Sequence, residues 1–355
     1  MSRAATPARP RWYQIRVKFL LVLACLAGAL FWFYRRYNPP MGSGPAGPAV
    51  PAEAFASVWS SGDTLLLGMG DSVVTGFGAN SGFGFFDRLA EIPPGDEADI
   101  AGCELRRAFP NLRKRNLAAN STSSGDHLRY HLAELAPQPA STRGLVVLST
   151  GGIDLIHDYG ASPPRDEALY GATWSEGQRY AAAFRQRLDQ LLDGITARFP
   201  GGCEIFIATI FDPTDGVGDI ERVNPLLRLI KPLPPWPDGL RVHAEFNRHI
   251  REAASARPNV HVVDVHATLL GHGLHCRDRA NPHYRAEDPT YWYFVNLEDP
   301  NRRGYDAIRR AFLLEMIRVL RPAEPAQRTG GVRPGHQHPG TTEPMLTVSQ
   351  LASSP

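Results

Sequence analysis

The sequence contains little cysteine and no concentration of basic charge, and each shortage excludes a class of protein. Only 4 of the 355 residues are cysteine. Three of these, Cys103, Cys203 and Cys276, follow the first apolar run, and their spacing matches no zinc-binding pattern. We therefore expect packing thiols, with one disulfide as the alternative, and no metal or other cofactor. Lysine and arginine total 38 against 36 acidic residues, a balance that argues against a nucleic-acid-binding protein.

One apolar run, residues 19–34, carries no charge, and basic residues precede it. Aromatic residues stand at both margins, which is typical of a membrane-spanning helix. The pattern predicts a cytoplasmic N-terminus over residues 1–16, a single-pass anchor over residues 17–37 and a globular part outside the cytoplasm. A cleaved signal peptide near Ala27-Gly28-Ala29 and a lipoprotein at Cys25 are the alternatives.

The composition divides the remaining chain into three parts. Residues 38–58 are rich in proline, glycine and alanine and read as a stalk-like linker. Residues 323–355 return to proline, glycine, threonine and glutamine and predict a disordered tail, with His336 and His338 as solvated side chains. Between them, residues 59–322 have the length of one domain.

Strand and helix signals alternate through this domain. Helices are predicted over residues 175–198, from Ser124 onward and from about Gly304 onward. The predicted strands are Thr64–Met69, Arg115–Ala118, Leu145–Ser149, Glu204–Thr209 and Val260–Val265. Alternation of this kind predicts a three-layer α/β/α fold around a five-stranded, parallel, flavodoxin-like sheet.

The most informative motif is Gly70-Asp71-Ser72, which directly follows the first predicted strand. Open α/β sheets carry their chemistry at the carboxyl ends of the strands, so Ser72 is expected at that edge. The string GMGDSVVTGFGA over residues 68–79 resembles the first block of the SGNH (GDSL-like) serine hydrolases. That resemblance implies an ester hydrolase with Ser72 as nucleophile, a backbone N–H of Ser72 in the oxyanion hole, and Asp71 bracing the turn.

Two further blocks resemble the family's oxyanion-hole motifs, with changes. In residues 116–122 the oxyanion glycine becomes Ser121, whose backbone N–H can still donate. In residues 148–154 the oxyanion asparagine becomes Ile153, which has no donor, while Gly152 and Asp154 remain. Loss of one such donor costs about 2.7–4 kcal/mol of transition-state stabilisation. The resemblance thus implies an oxyanion hole built by Ser72, Ser121 and Gly152, with Asp154 in support.

The final block departs furthest, because the family's Asp-x-x-His is here Asn296-Leu297-Glu298-Asp299. A carboxylate of ordinary pKa, near 4, is a poor base for a serine hydroxyl. The loop after the fifth strand supplies imidazoles, and we predict a Ser72–His275–Asp299 arrangement, with His272 and His283 as alternative bases.

Two functions remain open at this stage. The first is a membrane-anchored serine esterase that acts on acyl or acetyl esters, either small molecules or glycans. The second is a catalytically impaired domain of the same fold that binds a glycan or lipid. A nucleotide-binding protein is disfavoured, because Val73-Val74 occupy the loop that would need phosphate-cradling residues.

Overall fold

A five-stranded parallel sheet forms the centre of the molecule, in the strand order β2-β1-β3-β4-β5. The computed structural model describes residues 11–37, 40–222, 232–294 and 296–322. The strands are β1 (Thr64–Gly70), β2 (Leu112–Asn116), β3 (Arg143–Ser149), β4 (Cys203–Ala208) and β5 (Val260–Val263). The predicted flavodoxin-like sheet is therefore confirmed.

Helices join and cover the strands. The α-helices are α1 (Arg11–Tyr37), α2 (Ser72–Thr75), α3 (Phe85–Ala90), α4 (Leu105–Ala108), α5 (Ser124–Asp126), α6 (Leu132–Glu134), α7 (Gly152–Ile156), α8 (Trp174–Ala197), α9 (Gly239–Ser255), α10 (Val265–Leu269) and α11 (Arg302–Leu320). A π-helical turn, His127–His131, lies between α5 and α6. Short 3-10 turns span Ala52–Phe55, Ala98–Ile100, His157–Gly160 and Ile220–Arg222.

Each face of the sheet buries its own apolar core, because successive side chains of a strand point to opposite faces. In β1, Leu66 belongs to the core beneath α3 and α11, whereas Leu65 and Leu67 belong to the core beneath α8 and α9. The same division runs through β3 and β4. Helices on both faces explain why the central strands read as continuous apolar runs.

The three cysteines of the domain are free and buried, as the sequence predicts. Cys103 and Cys276 pack in the core beneath α11, and Cys203 packs in the opposite core. Burial raises the pKa of the Cys276 thiol to about 12, so this side chain behaves as an apolar group at neutral pH.

The apolar run of residues 19–34 lies within α1. Across the described residues, no helix is both long enough and apolar enough to cross a membrane. The transmembrane anchor predicted for residues 17–37 is thus not supported. Residues 1–10 of the predicted cytoplasmic segment and the predicted tail, residues 323–355, lie outside the described residues.

The predicted stalk, residues 38–58, differs from expectation because much of it packs on the domain. Tyr291 N donates to Pro40 O at 2.8 Å, and Ala46 N donates to the buried Asp306 carboxylate at 3.1 Å. Phe55 is 1% exposed and belongs to the core beneath α11. Gly47 crosses α11 so closely that a Cβ there would lie 2.8 Å from the Ala307 Cα. The folded unit therefore begins before residue 59.

Candidate functional site

The register of β1 and β3 brings the ends of these two strands together. Gly70 lies opposite Ser149, so the segments that follow each strand, with Ser72 and Gly152, start side by side. Gly70 has a φ of +136°, and a Cβ there would lie 2.2 Å from Ser149 O. A side chain at position 70 would force the two strand ends apart, which explains the glycine before Asp71.

Ser72 begins α2, where the first N–H groups of a helix lack partners within the helix. Asp71 caps this turn, because its Oδ1 accepts from Val73 N at 3.1 Å. None of the described groups accepts a hydrogen bond from the backbone N–H of Ser72. That N–H is therefore free to donate a hydrogen bond at this edge of the sheet, and its role in an oxyanion hole stays a prediction.

Asp299 faces Ser72. Burial raises the pKa of Asp299, and the hydroxyl of Ser72 lies near enough to oppose that increase by favouring the ionised carboxylate. Within the described chain, Oδ1 of Asp299 is buried without a well-formed hydrogen bond. Catalytic hydrogen bonds are often long before substrate binds, so this geometry is compatible with proton transfer between the two groups.

Asn296 orients Asp299. Its Nδ2 donates to Asp299 Oδ2 at 2.7 Å, and Asp299 N lies 3.3 Å from Asn296 Oδ1. In the motif that this block resembles, an aspartate at position 296 would accept a hydrogen bond from the ring N–H of a histidine at position 299. Here the pair keeps its hydrogen bond with the direction reversed, because an amide now donates to a carboxylate. The two substitutions are therefore chemically matched.

The start of α11 fixes the Asp299 loop. Asn301 caps the helix by accepting from Arg303 N at 2.9 Å and Gly304 N at 3.1 Å. Its own amide donates to Tyr291 O at 2.8 Å. Phe294 N donates to Asp299 O at 2.7 Å. The Pro-Asn turn thus connects Asp299 rigidly to the helix that follows.

Three carboxyl groups, those of Asp71, Glu298 and Asp299, lie near Ser72, and burial is the main cause of their raised pKa values. Burial raises the pKa of Asp71 to about 7, with a further increase from the charge of Asp299. Burial and Asp299 together raise the pKa of Glu298 to about 7. The pKa of Asp299 is itself raised by burial, which outweighs the opposing effects of the nearby Ser72 hydroxyl and of the hydrogen bond from Asn296. At neutral pH the cluster therefore retains protons that exposed carboxyls would have lost.

The raised pKa of Asp71 predicts a pH-dependent gain in stability for Asp71→Asn. Between pH 4 and pH 7 the folded state holds the Asp71 proton more tightly than the unfolded state, so the contribution of Asp71 to stability falls as pH rises. Asparagine carries no charge and can still accept from Val73 N. The stability of Asp71→Asn relative to the parent should rise by more than about 1 kcal/mol between pH 5 and pH 8.

Urea unfolding of both proteins at the two pH values measures this difference. Asp278→Asn, which alters an exposed carboxyl, is the control and should show no comparable change. A pH-independent difference for Asp71→Asn would mean that Asp71 ionises normally in the folded protein.

Ser72 and Asp71 border a largely apolar cavity at the carboxyl edge of the sheet. Its walls come from the segments after β3, β4 and β5 and from α9 and α11, and the apolar residues include Ile153, Leu155, Ile156, Phe211, Trp236, Leu240, Val265, Leu297 and Phe312. Glu298 and His243 are among the few residues with titratable side chains that line the cavity. An apolar pocket with a few convergent polar groups is typical of a small-molecule site.

The other predicted oxyanion donors occupy positions consistent with that role. Ser121 has a φ of +59°, a left-handed conformation that glycine, the residue at this position in the motif it resembles, adopts without strain. Gly152 begins α7, and a Cβ on it would lie 3.7 Å from Asp71 Oδ2. Ile153 is buried in the cavity wall and supplies contact area instead of an N–H donor.

Asp154 performs a structural task away from Ser72. Ser124 N donates to its Oδ2 at 2.8 Å, Ser124 Oγ donates to its Oδ1 at 2.5 Å, and Arg187 lies 3.2 Å away. These bonds join α7 to α5 and α8. We conclude that Asp154 supports the Gly152 segment through packing.

The predicted pairing of His275 with Asp299 is not found in the described part of the chain. His275 Nε2 lies 3.0 Å from both carboxylate oxygens of Asp219. The backbone N–H of His275 donates to the carboxylate of Asp215. His272 is stacked on Trp292 with 3.3 Å between ring centroids, and burial lowers its pKa to about 4. His275 is thus held between the loops after β4 and β5, whereas His272 packs within the segment that follows β5.

Two cavity residues were not identified from the sequence. Glu298 lies within the divergent final block, and its position beside Asp299 was the available signal. His243 belongs to α9, where its Nε2 lies 2.8 Å from Ile210 O and burial lowers its pKa. No motif surrounds His243, so only the helical periodicity of α9 could have placed it. In the described residues, no three His, Cys, Asp or Glu side chains gather as metal ligands.

Comparisons with known proteins identify one family and several solved structures that the chain is similar to. The family model described as GDSL-like lipase/acylhydrolase matches residues 69–307. No curated protein matches the chain. Among solved structures, an extracellular lipase from Streptomyces rimosus is 17% identical with a TM-score of 0.43, covering 71% of this chain and 98% of its own. Phospholipase A1 from Streptomyces albidoflavus NA297 is 17% identical with a TM-score of 0.42, covering 72% and 100%.

Proposed function

The chain belongs to the GDSL-like lipase/acylhydrolase family, and on that basis we propose that it hydrolyses acyl esters through an acyl-serine at Ser72. The observation that carries the proposal is the position of Ser72, which lies at an apolar cavity and faces the carboxylate of Asp299. The cavity would hold the acyl group, and the polar edge would hold the reacting ester. Small-molecule esters and acetylated glycans are the substrates to compare.

Asp299 takes the role of general base in this proposal. It accepts the proton of the Ser72 hydroxyl while Oγ forms a bond to the ester carbonyl carbon. The alcohol then departs with that proton as the C–O bond breaks, leaving the acyl-serine. In the second half, water attacks the acyl carbon and gives a proton to Asp299. Asp299 returns that proton to Ser72 Oγ as the bond between Oγ and the acyl carbon breaks, which releases the carboxylic acid and the free serine.

Burial makes a carboxylate more suitable for this role than its ordinary pKa suggests. An exposed aspartate, with a pKa near 4, holds a proton too weakly to take one from serine efficiently. Burial raises the pKa of Asp299 toward working pH, which improves the proton affinity that general-base catalysis requires. Asn296 and the capped start of α11 keep the base in place.

The oxyanion would be met by the backbone N–H groups of Ser72, Ser121 and Gly152. Because Ile153 replaces the amide donor of the family motif, we expect a slower enzyme than one with a complete set of donors. The apolar contact that Ile153 adds to the cavity favours binding of the acyl group instead.

A fluorophosphonate probe tests the proposal directly, since it phosphonylates only an activated serine. We expect one adduct per chain, on the peptide that contains Ser72, together with hydrolysis of short-chain aryl esters. Prior heat denaturation should abolish labelling, which controls for nonspecific reaction. Absence of both labelling and hydrolysis would favour the second candidate, a binding domain, which Ile153 and the lack of an imidazole partner for Asp299 among the described residues support.

A further inference from the structure

A buried histidine connects the three segments that supply the oxyanion donors. His127 begins the π-helical turn and is 0% exposed. Its Nε2 lies 3.0 Å from Thr122 Oγ1, in the loop that carries Ser121. Its Nδ1 lies 2.9 Å from Thr150 Oγ1, in the loop that carries Gly152. One imidazole ring thus spans the loops after β2 and β3.

The other hydrogen bonds of Thr122 determine which atom is the donor in the series Thr150–His127–Thr122. Thr122 Oγ1 donates to Ala119 O at 2.7 Å and lies 3.2 Å from Gly70 O, just before Asp71 and Ser72. With its proton committed, the hydroxyl accepts from the Nε2–H of His127. Nδ1 of His127 is then unprotonated and accepts from the hydroxyl of Thr150. This series of hydrogen bonds therefore requires that the imidazole ring of His127 be neutral.

The surroundings keep His127 neutral across the working range. Burial and, to a smaller extent, the adjacent His131 lower its pKa to about 3. His131 stacks on His127 with 4.9 Å between ring centroids, yet its Nδ1 is buried without a hydrogen bond in the described chain. The two rings therefore share one environment, but only His127 has hydrogen bonds to both loops.

We propose that His127 is a positioning residue that sets the relative placement of the Ser121 and Gly152 N–H groups by holding both loops to the Ser72 turn. The inference rests on the proposed esterase function for its kinetic consequence. Oxyanion donors contribute only when they point at the developing charge, so a displaced loop lowers turnover more than substrate binding. π-Helical turns occur frequently at functional sites, which agrees with the place of His127–His131.

The matched variants are His127→Phe and His131→Phe, which keep an aromatic ring at each position and remove the same atoms. For His127→Phe we expect kcat per fluorophosphonate-titrated site to fall about 10- to 100-fold, as for other outer-layer hydrogen-bond partners, with KM within about twofold. Hydrogen exchange should accelerate in residues 119–123 and 149–153. His131→Phe should match the parent in both measurements.

Thr150→Val removes the hydrogen bond between Thr150 and His127 while keeping a side chain of nearly the same shape. It is the variant to use if His127→Phe does not fold. It should reproduce the fall in kcat and the faster exchange of residues 149–153. Parental kcat and exchange in these variants, or equal losses in His131→Phe, would overturn the proposal. If the parent hydrolyses no ester yet exchange still responds only to the His127 variant, the esterase proposal fails while the positioning role stands.

Discussion

Ser72→Ala should lower the hydrolysis of a short-chain aryl ester by about a thousandfold or more, because no acyl-serine can form without the hydroxyl. The residual rate would come from the N–H groups and the cavity acting on a water attack. The structure predicts little change in folding, because only the small hydroxyl is removed. The hydrogen bond from Thr75 Oγ1 at 2.9 Å goes to the backbone oxygen of residue 72, which the variant keeps.

Initial rates over a range of substrate concentrations, with thermal unfolding measured in parallel, test this expectation. Ser255→Ala is the control, because Ser255 lies at the exposed end of α9, where its hydroxyl donates to Glu252 O at 3.0 Å. A Ser72→Ala protein that keeps the parental rate would show that hydrolysis proceeds elsewhere on the molecule.

Asp299→Asn is expected to lower kcat by about a hundredfold to ten-thousandfold, because an amide cannot take the serine proton. The change is nearly isosteric, and the amide oxygen can still accept from Asn296 Nδ2. The protein should therefore fold and bind substrate with a similar KM. His275→Ala, which removes the partner of Asp219, should reduce turnover far less.

Two further variants separate the role of Asp299 as a base from a general need for negative charge. The double variant Asn296→Asp/Asp299→His restores the family's Asp-x-x-His order and should exceed the Asp299→Asn rate by about tenfold or more, since imidazole is the better base at neutral pH. Asp299→His alone leaves asparagine beside the ring and should recover less. Parental turnover in Asp299→Asn, with His275→Ala inactive, would transfer the base role to His275.

The strands of the sheet were largely predictable because three of them are buried on both faces. Their runs of leucine, valine and isoleucine gave β1, β3 and β4 to within two residues at each end. β2 was displaced, predicted at residues 115–118 and found at Leu112–Asn116, because this edge strand is mostly polar and its apolar neighbours follow it. The helix α9 was overlooked, although Val242, Phe246 and Ile250 recur at helical spacing on its buried face.

The site was predictable only where local sequence determines geometry. A glycine, an aspartate and a serine after a strand predict the turn that carries Ser72, since backbone register and helix capping act over a few residues. The partner of His275 depended on how the loops after β4 and β5 meet, and no periodicity encodes that contact. In the sequence, Asn296 and Asp299 read as two separate departures from the family motif. Only the structure shows that the two side chains form a hydrogen bond and so compensate for each other.

The docking of the N-terminal segment onto the domain limits how far α1 can move from it. A free linker over residues 38–58 could extend to about 70 Å, at 3.3–3.6 Å per residue. Because the chain is already bound to the domain at Pro40, only the three steps from Tyr37 remain, with a maximum reach of about 11 Å. Any molecule that binds the end of α1 would therefore lie close to the folded domain, whereas a free linker would have let the two separate.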